Sequence, residues 1–264
     1  MAARERRIRQ RFRIGLPLAG AVLLTALVWG LLPLDTVPDA PAHPAVVAGI
    51  CWAGQLWFVG YALDPKRAVG PLWRYVLGVA NAVTLVRGGL YAVVAGFVVV
   101  PSASTLAWVP ALAYGAGVAL DALDGTLART VGEETRLGEH LDMAFDTFGF
   151  VVAPLVAVSW GYLPVWYLSL SAARYVYRGG LGWRRRRGRP VYDPPDSDLG
   201  RYLAGVQMVF LTAALAPAVP RDLIWTLAPV VLAPSLGVFA RDFLVASGRL
   251  GNRPQASADA QPTD

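Results

Sequence analysis

Four aspartates within one short segment are the residues of this sequence best suited to chemistry. They are Asp121, Asp124, Asp142 and Asp146. At about 100° per residue, the first two fall on one face of a helix, and the last two, four residues apart, share a face of the next helix. The polar stretch between the two pairs is short. We therefore expect antiparallel neighbouring helices whose acidic faces oppose each other.

Carboxylates that converge without matching lysines indicate bound divalent cations. Like charges this close cannot all be ionised unless something neutralises them. Oxygen ligands favour Mg²⁺, Mn²⁺ or Ca²⁺ over zinc or copper. The small residues Gly125, Ala128 and Gly138 leave room for a ligand, and Arg129 lies at about 80° from Asp121, within reach of a phosphate. Helix capping or solvation is the alternative interpretation, and it fits the glutamates of this segment better than the aspartates.

Eight apolar runs of spanning length surround and include this segment. A membrane-crossing helix needs about 20 apolar residues. Pro, Gly or charged clusters separate the runs. We predict spans at about 14–34, 44–63, 78–100, 104–125, 141–160, 162–177, 202–218 and 223–245.

The basic residues predict how these spans are oriented. Six arginines in the first 13 residues mark the amino-terminal side as cytoplasmic. With eight spans, both termini and the aspartates lie on that side, and of the 24 basic residues only Arg221 falls outside. The first span could instead be a cleaved signal peptide, which would leave the later orientation unchanged. The basic loop from Gly179 to Gly200 is either a determinant of this orientation or a contact for anionic lipid headgroups.

The composition agrees with a multi-pass protein of the cell membrane. Of the 264 residues, 55% are hydrophobic and 16% are charged, which excludes a disordered chain and makes an ordinary soluble enzyme a poor fit. The net charge is +6, but the charged residues lie between apolar runs and do not indicate a nucleic-acid partner. Cys51 stands alone, so it permits no internal disulfide.

The spacing of the acidic segment resembles the signature of the CDP-alcohol phosphatidyltransferase family. The pattern is Asp-x2-Asp-Gly-x2-Ala-Arg-x8-Gly-x3-Asp-x3-Asp, and the sequence matches it at every fixed position from Asp121 to Asp146. A second pattern, Asn-x-x-Thr-x-x-Arg, is similar to the start of the family's helical core. Here it is formed by Asn81, Thr84 and Arg87.

The resemblance implies an all-α membrane bundle with a six-helix core. The core would occupy residues 71–248, after a basic segment and two extra transmembrane helices in 1–70 and before a disordered tail in 249–264. It also implies the reaction: an alcohol attacks the lipid-bearing phosphorus of a CDP-activated lipid and releases CMP. Phospholipid biosynthesis is the process implied.

The family's functional residues can be carried over to matching positions. The four aspartates would hold one or two Mg²⁺ or Mn²⁺ ions, and Asp146 would also be the general base. The predicted partners are a CDP-activated lipid, an alcohol acceptor and membrane lipids, with a homodimer as a candidate assembly. The residues that would line the substrate pocket are Gly125, Ala128, Arg129 and Gly138, joined by Asn81, Thr84 and Arg87.

The identity of the acceptor is less constrained. A phosphorylated polyol, such as glycerol 3-phosphate or inositol phosphate, is favoured by arginines near inner helix ends. Serine and a lipid alcohol remain open. Outside this family, a membrane prenyltransferase would carry two separated Asp-rich motifs, and a cation transporter would hold its acids near the bilayer midplane. The arginines in question are Arg87, Arg174, Arg178, Arg201 and Arg241.

Overall fold

The chain folds into a bundle of helices. The computed structural model describes residues 2–32, 40–62, 79–131, 136–192 and 198–250, and these contain no strand. The all-α prediction is therefore confirmed. The helices of the described ranges are α1 (Ala2–Leu31), α2 (Pro44–Ala62), α3 (Val79–Gly96), α4 (Trp108–Val131), α5 (Arg136–Ser159), α6 (Ser169–Arg186), α7 (Asp198–Leu215) and α8 (Arg221–Ala246).

Each predicted apolar run overlaps one of these helices. The helix α1 begins well before its run, and α6 is displaced from its run at both ends. The run at 162–177 predicts a helix there, but the chain turns at Gly161, whose φ is 71°, and is extended at Pro164. The helix consequently starts at Ser169, after a short 3₁₀ turn. It continues to Arg186 and has three arginines in its last turn, where cations interact favourably with the helix dipole.

The surface of the bundle carries many large apolar side chains. Leu23, Ile50, Leu112 and Val230 are each more than half exposed. Many large exposed apolar side chains of this kind are compatible with a lipid environment. Among the described residues, α8 is long and apolar enough to cross a membrane by length and composition, and shorter apolar stretches lie in the first five helices. Eight spans remain a prediction.

Close packing of α3 against α4 and α5 places the acidic segment. The buried ring of Tyr91 on α3 lies against Gly117 on α4 and Gly149 on α5. A Cβ atom would come within 2.5 Å of the ring at Gly117 and within 2.8 Å at Gly149, so both positions require a residue without a side chain. Arg87 lies one turn before Tyr91, on the same face of α3. Its side chain is thereby directed into the junction of the three helices.

The two amino-terminal helices pack against each other, and α2 also packs against α3. The end of α3 approaches the start of α2 so closely that a Cβ atom on Gly96 would lie 2.6 Å from the carbonyl oxygen of Pro44. His43, whose Nε2 lies 2.8 Å from the carbonyl oxygen of Leu32, connects the two amino-terminal helices. The hairpin of α1 and α2 is thus fixed to the side of the bundle that contains Arg87.

Candidate active site

A single guanidinium group joins the two halves of the acidic segment. Nη1 of Arg87 donates to Oδ1 of Asp121 on α4, and its Nη2 lies 3.1 Å from Oδ1 of Asp146 on α5. Three helices therefore contribute charged groups to one point. The predicted convergence of these two aspartates from separate helices agrees with this geometry.

Burial makes this ion-pair cluster energetically important. The Arg87 side chain is 1% exposed, whereas those of Asp121 and Asp146 are 35% and 20% exposed. A guanidinium so deeply buried is very costly without carboxylate partners, and removal of one partner from a buried pair costs about 3–5 kcal/mol. Two carboxylates around one cation leave a net charge of −1. The cluster can therefore accept further positive charge on its exposed side.

Several predicted site residues lie outside the described side chains. They belong to α3, α4 and α5 by sequence, and their predicted roles stay predictions. Among the side chains that are described, no group of three potential ligands that could hold a metal ion occurs. The residues concerned are Asn81, Asp124, Gly125, Ala128, Arg129, Gly138 and Asp142.

The described part of the cluster nevertheless suits a hard divalent cation. Asp121 and Asp146 bring oxygen atoms from two helices to within the width of one guanidinium. Mg²⁺ and Mn²⁺ prefer such oxygen donors, and Mg²⁺ is commonly held by one or two carboxylates together with substrate phosphates. The partly exposed carboxylates would hold the ion, while Arg87 would keep them in position from the buried side.

Helix α2 contacts residues that adjoin this cluster. Nε2 of Gln55 on α2 donates to the carbonyl oxygen of Gly88, next to Arg87, at 3.1 Å. The ring centroid of Trp52, also on α2, lies 6.4 Å from that of Phe145, next to Asp146. The helix therefore contacts the neighbours of two charged residues in the cluster. A hydrogen-bonding side chain within an apolar run is the sequence signal by which Gln55 could have been found.

Thr84 lies one turn before Arg87 on α3 and is buried. Thr84, Arg87 and Tyr91 follow one another at helical spacing, so they form one stripe of α3 that faces the inside of the bundle. The predicted role of Thr84 in substrate binding is compatible with a position close to Arg87.

A cavity of about 230 Å³ lies next to α5, the helix that carries Asp146. It lies between α5, α6, α7 and α8, and Thr147, which immediately follows Asp146, is part of its wall. Arg174 and Asp242 line the end nearest the ion-pair cluster, and Gln207 and Ser235 lie about two helical turns deeper. The remaining wall is largely apolar. The cavity can hold a small molecule, or part of a larger one, next to the predicted base.

Hydrogen bonds fix the deep end of this cavity. The Tyr167 hydroxyl donates to Oε1 of Gln207, whose Nε2 donates to the carbonyl oxygen of Val231 at 2.9 Å and to Oγ of Ser235 at 3.0 Å. At the other end, the Arg174 guanidinium carbon lies 5.9 Å from the centroid of the Phe150 ring. Arg174 also lies within electrostatic range of Asp146. The cavity thus has a cation, Arg174, and a carboxylate, Asp242, at one end and a hydrogen-bonded polar floor at the other.

The family comparison agrees with this arrangement. A family model described as CDP-alcohol phosphatidyltransferase matches residues 77–240, which is more than half of the chain and includes every residue of the ion-pair cluster and the cavity floor. The chain belongs to the CDP-alcohol phosphatidyltransferase family. The resemblance inferred from the aspartate spacing is therefore confirmed. Members of this family are integral membrane proteins, and membership supports the predicted transferase activity in phospholipid biosynthesis.

Curated relatives come from mycobacteria. Proteins of Mycobacterium bovis and of two strains of Mycobacterium tuberculosis, each named "Putative cardiolipin synthase", are 36% identical to this chain over 114 residues. The aligned part covers 42% of this chain and 53% of each relative, so the chain spans about half the length of the curated relatives it matches. No solved structure matches the chain significantly.

The structure also shows features that sequence reasoning missed. Arg87 is predicted as a substrate contact, and its described partners are the two aspartates. The contribution of α2 through Gln55 and Trp52 is not expected from the family core. The cavity floor around Gln207 was also not predicted. The single amide side chain in the apolar run at 202–218 could have indicated a buried polar contact there.

Proposed function

We propose that this protein is a multi-pass membrane enzyme that transfers the phospholipid moiety of a CDP-activated lipid to an alcohol and releases CMP. The observation that carries the proposal is the meeting of Asp121 and Asp146, from different helices of a family-matched core, beside a cavity large enough for an acceptor. Both termini and the reaction site would face the cytoplasm, as the distribution of basic residues predicts.

The chemistry places few covalent demands on the protein. Phosphoryl transfer depends mainly on positioning and on neutralisation of charge at the transferring and leaving phosphates. Bound Mg²⁺ or Mn²⁺ would supply that neutralisation. Asp121 and Asp146, with Asp124 and Asp142 of the same segment, would hold the ions. Arg87 would fix the orientation of the two carboxylates that it contacts.

Asp146 is best placed to accept the proton of the acceptor hydroxyl. It is partly exposed, and the next residue, Thr147, lines the cavity. Asp146 is not part of the cavity wall, so the hydroxyl of an acceptor in the cavity would reach past Thr147 to its carboxylate. A general base needs this hydrogen-bonding distance to the proton that it removes. The proton would move from the acceptor oxygen to Asp146 as the new bond to phosphorus forms and the bond to the CMP oxygen breaks.

We propose a phosphorylated polyol as the acceptor. Arg174 at the mouth of the cavity is a fixed cation next to Asp146, and guanidinium groups bind phosphate with two parallel hydrogen bonds. Gln207 and Ser235 add polar groups at the floor. Glycerol 3-phosphate and inositol phosphate both combine a phosphate with hydroxyl groups.

A lipid alcohol is the second candidate acceptor. The relatives named as cardiolipin synthases favour it, because formation of cardiolipin from a CDP-activated lipid requires a lipid alcohol. The largely apolar wall of the cavity, which includes Phe150, Leu203 and Phe239, is also compatible with part of a lipid.

An acceptor panel separates these candidates. Purified protein in detergent–lipid micelles with Mg²⁺ and a CDP-activated lipid would be given glycerol 3-phosphate, inositol phosphate, serine or phosphatidylglycerol in turn. We expect CMP release with a phosphorylated polyol. Release with phosphatidylglycerol alone would replace the first candidate by the second, and no release with any acceptor would contradict the proposed activity.

A further inference from the structure

The inner end of α6 and the turn that follows it form an exposed basic surface. We call it the basic platform, and it consists of Trp183, Arg185, Arg186, Arg187 and Arg189. All five side chains are exposed, and Trp183 is 50% exposed. The proposed transfer reaction uses none of them.

Backbone contacts hold the platform in a defined conformation. Arg184, which lies beneath it, donates to the carbonyl oxygens of Ser247 at 2.9 Å and Pro190 at 3.2 Å. The amide of Tyr192 donates to the carbonyl oxygen of Ala246 at 3.0 Å, and Gly188 provides the positive φ of 64° that the turn needs. The turn is therefore attached to the end of α8. Because these contacts already order the backbone of the turn, a ligand that binds there loses less affinity to conformational entropy.

Two arginines stack on the exposed tryptophan. The guanidinium carbons of Arg187 and Arg189 lie 4.7 Å and 5.7 Å from the Trp183 ring. A guanidinium that stacks through its flat face keeps the N–H groups of its edge available for phosphate. Tryptophan itself prefers the headgroup region of a bilayer. Together, the tryptophan and the two arginines would place hydrogen-bond donors at the level where lipid phosphates lie.

The platform also lacks a balancing negative charge in the described structure. Among the described ion pairs, none includes Arg185, Arg186, Arg187 or Arg189. The helix dipole favours cations at this end of α6, but like charges held close together still repel one another. A phosphodiester can compensate them and form two parallel hydrogen bonds with one guanidinium.

We propose that the basic platform binds the headgroups of anionic phospholipids at the cytoplasmic membrane surface. The proposal rests on the membrane location in the proposed function, and it is independent of the transfer chemistry. Arg174 at the mouth of the cavity lies on the same helix, about 16 Å from Arg185 at 1.5 Å per residue. Anionic lipid, the class to which a CDP-activated lipid belongs, would thereby be concentrated near the site.

Quenching of tryptophan fluorescence by brominated lipids tests this proposal directly. The full-length protein would be placed in vesicles of phosphatidylcholine with a minority of phosphatidylglycerol, and only one of the two lipids would carry bromine. Comparison with Trp183→Phe isolates the signal of Trp183 among the nine tryptophans. With about fivefold local enrichment of anionic lipid for each favourable arginine contact, brominated phosphatidylglycerol should quench Trp183 far beyond its mole fraction.

The chain contains a matched control. Trp225 is 41% exposed and also lies under an arginine, with the guanidinium carbon of Arg221 5.1 Å from its ring, but it is at the opposite end of the bundle and outside any arginine cluster. Trp225→Phe should reveal a much weaker preference for phosphatidylglycerol, because a single arginine lies against that ring. In a variant with Arg187→Gln and Arg189→Gln, which keeps the Arg184 anchor, quenching of Trp183 should fall severalfold, because two of the four platform arginines are lost.

Equal quenching of Trp183 and Trp225 in the wild-type protein would overturn the proposal and leave the arginines as determinants of topology only. A preference for phosphatidylglycerol that is undiminished in the double glutamine variant would also overturn it. Because no CDP-activated lipid is present, an inactive protein that still shows the preference would refute the proposed function and not the platform.

Discussion

Nη2 of Arg87 lies 3.1 Å from Oδ1 of Asp146, and Nη1 of the same guanidinium binds Asp121. One buried side chain on α3 thereby fixes two carboxylates that belong to α4 and α5. It also closes the inner side of the cluster, and the Asp121 and Asp146 side chains are partly exposed on the other side. The arrangement couples the stability of the bundle to the geometry of its candidate metal site.

The first prediction concerns this coupling. Arg87→Met removes the guanidinium and leaves both carboxylates without it, so the free energy of unfolding should fall by about 3–5 kcal/mol. Thermal unfolding of the purified protein in detergent would measure the change. Arg201→Met is the matched control, because Arg201 and Asp198 form an ion pair whose side chains are 79% and 98% exposed. Such a pair contributes about 1 kcal/mol or less. Equal melting temperatures for both variants would contradict the structural role of Arg87.

The second prediction tests the support that α2 gives to the cluster. A Cβ atom on Gly88 would lie 2.7 Å from Oε1 of Gln55 and 3.0 Å from ring carbons of Phe145. Gly88→Ala should therefore displace the Gln55 amide and push the Phe145 ring away from α3, at a cost of about 1–3 kcal/mol. Gly89→Ala, on the same helix, meets nothing within 4 Å and should keep or raise the melting temperature.

Enzyme activity provides the second readout for these glycine variants. If α2 positions the residues next to Arg87 and Asp146, CMP release should decline in Gly88→Ala at temperatures well below unfolding and stay normal in Gly89→Ala. Full activity in a stable Gly88→Ala protein would limit α2 to a structural role.

The third prediction concerns the base. Asp146→Asn keeps an oxygen acceptor for Arg87 and has nearly the same volume, but it cannot accept the proton of the acceptor hydroxyl. CMP release should fall by about 100-fold or more, while binding of the CDP-activated lipid should stay largely intact. Asp198→Asn changes an exposed aspartate in the same way and should leave both quantities unchanged. Normal turnover in Asp146→Asn would remove Asp146 from the base role.

The fourth prediction identifies the acceptor through Arg174. If the guanidinium at the mouth of the cavity binds an acceptor phosphate, Arg174→Gln should raise the KM for a phosphorylated polyol by about tenfold or more, because a charge-assisted hydrogen bond is worth about 1.5–3 kcal/mol. The kcat should change much less. Steady-state CMP release over a range of acceptor concentrations would measure both constants. An unchanged KM would contradict phosphate binding by Arg174 and favour the lipid alcohol.

Much of this fold could be predicted from the sequence, because apolar runs and helical periodicity are local signals. The helices fall where the runs indicate, and Asp121 and Asp146 converge from separate helices as their spacing predicts. The two helices do not face each other directly, because α3 packs between them. The start of α6 could not be predicted as well. The apolar run at 162–177 begins directly after Gly161 and includes Pro164, and the turn at these two residues depends on backbone conformation.

The contacts within the site were less predictable, because they depend on which helices become neighbours. The sequence suggests that Arg87 reaches a substrate phosphate, but it does not indicate that α3 packs between α4 and α5. That packing depends on the close approach of Gly117 and Gly149 to Tyr91, a relationship between distant segments. The same is true of Gln55. The sequence shows an amide in an apolar run, but it does not indicate that this amide binds the carbonyl oxygen of Gly88 on α3.

The most direct test of the central claim is metal-dependent CMP release. The purified wild-type protein, freed of metal with EDTA and supplied with a CDP-activated lipid and the acceptor panel, should release no CMP until Mg²⁺ or Mn²⁺ is added. Asp121→Asn and Asp146→Asn should stay inactive after the addition. CMP release that is equally fast with EDTA, or in both variants, would contradict a metal site at these aspartates. Its complete absence in the wild-type protein with metal and every acceptor would contradict the proposed transferase.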